Sequence, residues 1–127
     1  NKLSSNLVLV GTVRNCAGGP SPWGWLSCEE TVESDHGYVF LTDPGASTVQ
    51  AAQRIDAYGR FNHEAVAIEP GTHTAYLTED RDDGCLYRMV PTDPADPFTG
   101  QLQAMKIVGE EGAELGSERW VGAIEEP

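Results

Sequence analysis

Three short constellations hold the side chains that could do chemistry. The first is Asn15-Cys16-Ala17-Gly18-Gly19-Pro20-Ser21-Pro22-Trp23-Gly24, a cysteine followed by small residues, a glycine pair and two prolines. It reads as a tight, rigid loop, because glycine permits positive φ and close backbone approach. Such a loop can present one thiolate to a metal or a substrate. The alternative is a buried, inert cysteine, the commonest fate of a free thiol. The second is Ser27-Cys28-Glu29-Glu30-Thr31 with its echo Thr78-Glu79-Asp80-Arg81, paired acids at the end of an apolar run in both copies. Carboxylates brought close together repel, so they need a cation or raised pKa values. A hard cation such as calcium takes six to eight oxygen ligands and suits such a cluster. The alternative is that one acid of each pair is solvated and only caps a turn. The third is Arg60-Phe61-Asn62-His63-Glu64-Ala65, where Glu64 opens an apolar strand. It is not a zinc-protease helix, since Ala67 stands where a second histidine would be, and His63 reads as structural.

Other chemistry is absent from the pattern. Asp80-Arg81-Asp82-Asp83-Gly84 starts like a calcium loop, but Pro91 stands where an EF-hand needs its glutamate, so the stretch reads as an acidic turn. Glu110, Glu111, Glu114 and Glu118 read as a solvated acidic loop. Cys16, Cys28 and Cys85 are an odd number with no zinc spacing. Cys16 and Cys28 could pair; otherwise Cys28 and Cys85, lying in apolar runs, pack as small hydrophobes.

The elements that position these groups are short. Runs rich in Val, Leu, Tyr and Trp recur at Leu7–Val13, Trp23–Glu29, Gly37–Thr42, Ala65–Glu69, Thr74–Glu79, Cys85–Val90, Leu102–Val108 and Trp120–Ile124. Each has strand length, and Gly, Pro and Asp separate them. The nearest helical candidate, Gln50 to Ile55, is short, so the chain reads as all-β.

Trp25-Leu26-Ser27-Cys28 is echoed by Tyr76-Leu77-Thr78-Glu79, and Gly37-Tyr38-Val39-Phe40 by Gly84-Cys85-Leu86-Tyr87. The offset is 51 at the leucines and 47 at the glycines. A repeat of this length made of four short strands is the signature of a β-propeller blade. Blade-like repeats are expected near 7–58 and 59–108, with the start of a further blade at 109–127. That makes about two to two and a half blades of four-stranded antiparallel sheet, where a closed propeller takes four to eight. Part of a propeller leaves strand edges exposed, and these predict self-association or completion by a longer polypeptide.

With 127 residues, the chain is one segment with room for a modest core. Eight Lys and Arg against 20 Asp and Glu leave a net charge of −12, which excludes nucleic acid and an anionic membrane as partners. No run of about 18 apolar residues spans a bilayer. The first residues show no secretory leader, so the protein is not exported or the leader is absent from this chain.

The motifs Asn15-Cys16-Ala17-Gly18-Gly19, Pro22-Trp23-Gly24-Trp25-Leu26 and Cys28-Glu29-Glu30 resemble, in order, the signature of the PhoX-type alkaline phosphatases. The same holds for His36-Gly37-Tyr38-Val39-Phe40, for Gly59 to Ala67 and for Tyr76 to Arg81. The likeness extends over roughly residues 7 to 125, with Trp23-Gly24-Trp25 one residue shorter than the family pattern. The resemblance implies a β-propeller phosphomonoesterase, exported to the periplasm or cell exterior, with a phosphomonoester substrate and calcium and iron as cofactors. It implies that Cys16 ligates iron and that Glu30, Glu64 and Glu79, with Asp80, join the metal cluster. A later family motif that carries an Arg and a Glu has no match here, so the chain reads as an internal segment holding part of the site. The competing functions are a non-catalytic calcium-stabilised propeller module and a calcium-dependent propeller esterase or lactonase. Cys16 separates them, because calcium prefers oxygen and leaves a thiolate without a role.

Overall fold

The computed structural model describes residues 3–107 and 118–121. The described elements are nine strands and one 3₁₀ turn, so the all-β expectation holds. The first sheet takes β1 (Gly19–Ser21), β2 (Gly24–Cys28), β3 (Val39–Thr42) and β4 (Gln53–Arg54) in sequence order. The 3₁₀ turn Asp56–Tyr58 leads into the second sheet. That sheet takes β5 (His63–Ile68), β6 (Ala75–Glu79), β7 (Leu86–Asp93), β8 (Asp96–Ile107) and β9 (Glu118–Val121), again in sequence order. All neighbours within a sheet are antiparallel. The acidic stretch Glu110, Glu111 and Glu114 and most of the proposed further blade lie outside the described residues. Within it, β9 covers part of the Trp120–Ile124 expectation and adds a fifth strand to the second sheet.

Period-2 alternation decides which side chains face inward. Leu26 and Cys28 from β2 and Val39 from β3 are fully buried. So are Ala75 and Leu77 from β6 and Met89 from β7. Together with Ile55, Tyr58, Phe61 and Val66 they form one core between the two sheets. Burying a side chain of the size of Leu or Met contributes about 1.5–3 kcal/mol. Trp23 adds a clasp between the sheets: its ring sits edge-on to Phe98 of β8 at 5.1 Å and to His73 at 5.0 Å.

Two local expectations are corrected. Leu7–Val13 is apolar but forms no strand; its recorded main-chain bond to the sheet region is Gln50 N–H to the Val8 carbonyl. Gly19-Pro20-Ser21, expected as loop, is strand β1. Glycine and proline have poor strand propensity, but tertiary contact overrides it. β1 pairs with β2, and a parallel bridge joins Gly18, just before β1, to Ala65 of β5. Gly19 is what lets the two sheets meet, while Gly18 lets the chain lie close against β2. A Cβ on Gly18 would enter the Leu26 carbonyl, and one on Gly19 the Val66 carbonyl, both far inside contact distance. Gly18 also has φ of 73°, which L-residues rarely adopt.

Both sheets contain antiparallel hairpins, but their register differs from the leucine match. Cys28 pairs with Val39, and Thr78 pairs with Leu86. The glycine offset carries Val39 onto Leu86, so Cys28 falls on Thr78, Glu29 on Glu79 and Glu30 on Asp80. Leu26 then corresponds to Tyr76, one residue earlier than Leu77. Burial agrees. Leu26 and Leu77 are both at 0% exposure in the shared core, so they face each other across it instead of occupying equivalent sides of two repeats.

Candidate functional site

Four chain segments converge at one end of the β1–β5 junction. Glu29 bridges Asn15, and Glu30 bridges Asn62. Glu30 N–H donates to the Arg14 carbonyl at 3.0 Å, Cys16 N–H to Cys28 at 2.9 Å, and Asp80 N–H to Asn62 at 3.1 Å. Gly18 N–H reaches the Glu64 carbonyl at 2.9 Å. Main-chain bonds alone therefore set Cys16, Glu30, Glu64 and Asp80 on one seam, although they are far apart in sequence.

The two acids of Glu29-Glu30 do opposite things. Glu29 is fully buried. One carboxylate oxygen accepts from Val13 N–H at 3.0 Å and lies 2.7 Å from His36 Nδ1. The other accepts from Gly37 N–H at 2.8 Å and Tyr38 N–H at 3.1 Å. Burial pushes this carboxyl up, and the His36 contact with the three backbone donors more than reverses it, so it lies below the usual range. Glu29 is thus a structural anion that folds the 31–38 loop. The same loop is held from its other side by Arg60, whose guanidinium donates to the Val32, Glu33 and His36 carbonyls.

Glu30 points the other way, as alternation requires. Its carboxyl shares a hydrogen bond with Asp80 from the second sheet, which raises its pKa; partial desolvation and the Asp80 charge add to the shift, and Glu64 adds a smaller push. Arg14 opposes the rise without cancelling it. Arg14 holds φ of 50°, an uncommon conformation for a residue with a side chain, directly beside the carboxylates. Nothing in the residue pattern singled out Arg14.

The remaining predicted residues take distinct positions. Glu64 is exposed within β5, one residue after the buried His63. Glu79 is partly buried and accepts from Tyr87 O–H at 3.0 Å and Cys85 N–H at 3.1 Å, closing the β6–β7 hairpin much as Glu29 closes its loop. Cys16 is exposed, and all three cysteines are free thiols. Cys28 is buried, and burial pushes its thiol up to about 12. Cys85 is exposed, correcting the expectation that it packs as a core hydrophobe: it precedes β7 at the end of the acidic turn. Within that turn Arg81 pairs with Asp83 at 3.0 Å in the open.

His63 is structural, as its sequence context suggested. Its ring stacks on Phe61 at 3.6 Å, and Phe61 stacks on Tyr87 at 4.3 Å. Nε2 lies 3.0 Å from the Gly59 carbonyl. Burial drives its pKa down to about 4 against small opposing effects of that carbonyl and of Glu29.

A family model described as alkaline phosphatase PhoX matches residues 2–126. The chain belongs to the PhoX alkaline phosphatase family. No curated protein and no solved structure matches it. Membership carries phosphatase chemistry at the level of the family, and with it a hydrolase assignment and a phosphomonoester substrate class. A PhoX site relies on metals. The seam brings the Glu30 and Asp80 carboxyls together from two sheets, and the second raises the pKa of the first. Among the described residues, however, no three His, Cys, Asp or Glu side chains are gathered closely enough to hold a metal ion by themselves. None of the described helices is long and apolar enough to cross a membrane.

Proposed function

We propose that this chain supplies one portion of a metal-dependent phosphomonoesterase site, carried on neighbouring blades of a β-propeller. The observation that carries the reading is the Glu30–Asp80 carboxyl pair, brought together from both sheets by main-chain register, in which Asp80 raises the pKa of Glu30. Glu30 and Asp80 are the oxygen donors for a hard cation such as calcium, with Glu64 beside them. Glu79 belongs to the same proposed set, and any cation it meets shares the carboxylate with Tyr87 and Cys85. Cys16, exposed at the same seam, is the thiolate proposed for iron. A metal bound here supplies Lewis-acid polarisation of phosphoryl oxygens. The chain's own part is to hold the carboxylates in place and keep Arg14 near them, where a guanidinium can bind a phosphate oxygen. The parallel approach of β1 and β5 supports the propeller reading, since like strands of adjacent blades run side by side around a channel. A periplasmic or extracellular location is proposed on the family likeness.

Cation binding is the direct test. Saturation at about 100 times the dissociation constant adds about 2.7 kcal/mol of stability. Thermal melts with calcium and with chelator should differ in the wild-type chain, and Glu30→Gln with Asp80→Asn should abolish the difference. Superimposable wild-type melts, with no metal retained by elemental analysis, would remove the basis for the reading.

A further inference from the structure

Cys16 and Cys28 oppose each other across the short ladder that leads into β1. Asn15 bridges Glu29, and Cys16 N–H donates to the Cys28 carbonyl at 2.9 Å. Opposed residues of an antiparallel ladder have Cα atoms about 4.5–5.5 Å apart. A disulfide spans roughly 4.4–6.8 Å. Facing agrees with distance. Asn15 Nδ2 donates to Ser27 Oγ at 2.7 Å, so the side chains of Asn15 and Ser27 meet on one face. Alternation then sends Cys16 and Cys28, the next residue along each strand, to the other face together. The two thiols also sense each other: burial is the main cause that raises the Cys28 thiol, and the Cys16 charge is the next. From the Asn15–Glu29 bridge to the Gly19–Leu26 pair, one strand advances by four residues and β2 by three. The extra residue is a bulge, which interrupts the ladder beside Cys16 and leaves slack for a crosslink to close.

We propose that Cys16 and Cys28 form a redox-modification site, closing to a cross-strand disulfide in the metal-free chain and reopening with excess thiol. Their exposures divide the work. Cys16 is exposed and Cys28 is fully buried, so an external disulfide such as oxidised glutathione meets Cys16 first. The Cys16 thiolate attacks one glutathione sulfur, forms a mixed disulfide and releases one glutathione thiolate. The Cys28 sulfur then attacks Cys16 Sγ and displaces the second glutathione. In balance, two protein thiols give up two electrons and two protons, and one oxidised glutathione becomes two reduced ones. Cys28 needs no solvent access for its step, because its target lies on the same face of the ladder. Cys85 has no such partner: it follows the Thr78–Leu86 pair in the β6–β7 ladder, with Glu79 opposite. One consequence rests on the function proposed above. An oxidised Cys16 has no thiolate to give iron, so only the reduced chain is competent for that metal.

The test treats the whole metal-free chain with oxidised glutathione, denatures it, blocks the remaining thiols with iodoacetamide and maps the tryptic peptides by mass spectrometry. Trypsin leaves Cys16 and Cys28 together in residues 15–54 and Cys85 apart in residues 82–88. The 15–54 peptide should lack two hydrogens and carry neither label nor glutathione. Excess reduced glutathione, added before the block, should restore label on both of its cysteines. Cys85→Ser should behave as wild type. In Cys28→Ala, Cys16 should stop at the mixed disulfide, because nothing resolves it. In Cys16→Ser, a mild change at an exposed position, Cys28 should escape the oxidant and take the label in full. A wild-type 15–54 peptide that is labelled on both cysteines, or that keeps glutathione without the internal bond, would overturn the proposal. So would a Cys16–Cys85 link, or a Cys16–Cys28 bond that excess reduced glutathione does not open. No step of this mapping involves a metal, so failure of the metal reading would appear in the calcium melts and leave these outcomes unchanged.

Discussion

Glu29→Gln separates the structural acid from its neighbour. The substitution keeps size and shape but replaces one acceptor oxygen with an NH₂ group, and removes the charge. Whichever way the amide lies, its nitrogen faces donors: Gly37 and Tyr38 N–H on one side, Val13 N–H and His36 on the other. At least two bonds to an ionised acceptor are lost, at about 1.5–3 kcal/mol each. The site is fully buried, so water does not replace them. We expect a loss of about 3–5 kcal/mol, a large share of the 5–15 kcal/mol typical of a domain. For a chain of this size each kcal/mol shifts the midpoint by about 3–5 °C, so the melt should fall by roughly 10–20 °C. Circular dichroism at neutral pH measures it. The pH dependence gives a second reading. A carboxyl whose folded pKa lies below its unfolded value stabilises fully above about 4.5, and that stability is lost as pH falls through the folded value. Glu29→Gln should abolish this acid-side loss. Glu30→Gln, by contrast, relieves a like-charge contact and should melt within a degree or two of wild type, or slightly higher. Equal melting of wild type and Glu29→Gln would refute the assignment of Glu29 as the loop's internal anion.

Gly19→Ala should destabilise by about 3 kcal/mol or more, because the new methyl meets the Val66 backbone and neither strand can yield cheaply; a melt unchanged by this substitution would show that the sheets do not meet there. His63 is held neutral by burial, so its contribution is complete above about 6.5 and is lost as pH falls toward about 4. The shift corresponds to about 3 kcal/mol, and urea midpoints measured from pH 7 to pH 4 should show that loss in wild type but not in His63→Phe.

Much of this protein was legible from its residues alone. Strand-length apolar runs, hairpin turns and the repeat are local properties, set by alternation and by Gly, Pro and Asp between the runs, and seven of the eight expected runs overlap observed strands. The family was legible too, since several long motifs in order survive without any structure. The candidate carboxylates and Cys16 were legible as residue types at strand ends. What remained hidden depends on facing. Side chains alternate with a period of two, so a shift of a single residue exchanges inside and outside. Sequence likeness therefore matched Leu26 to Leu77, whereas the hydrogen-bond register matches Leu26 to Tyr76 and sets the two leucines opposite each other. The same parity makes Glu29 a buried scaffold and sends Glu30 to Asp80, a distinction that two adjacent glutamates do not display. Strand β1 was invisible for a related reason. Glycine and proline argue against a strand locally, and only the approach of β2 to Gly18 and of β5 to Gly19, closer than any Cβ allows, makes the two glycines necessary where they are.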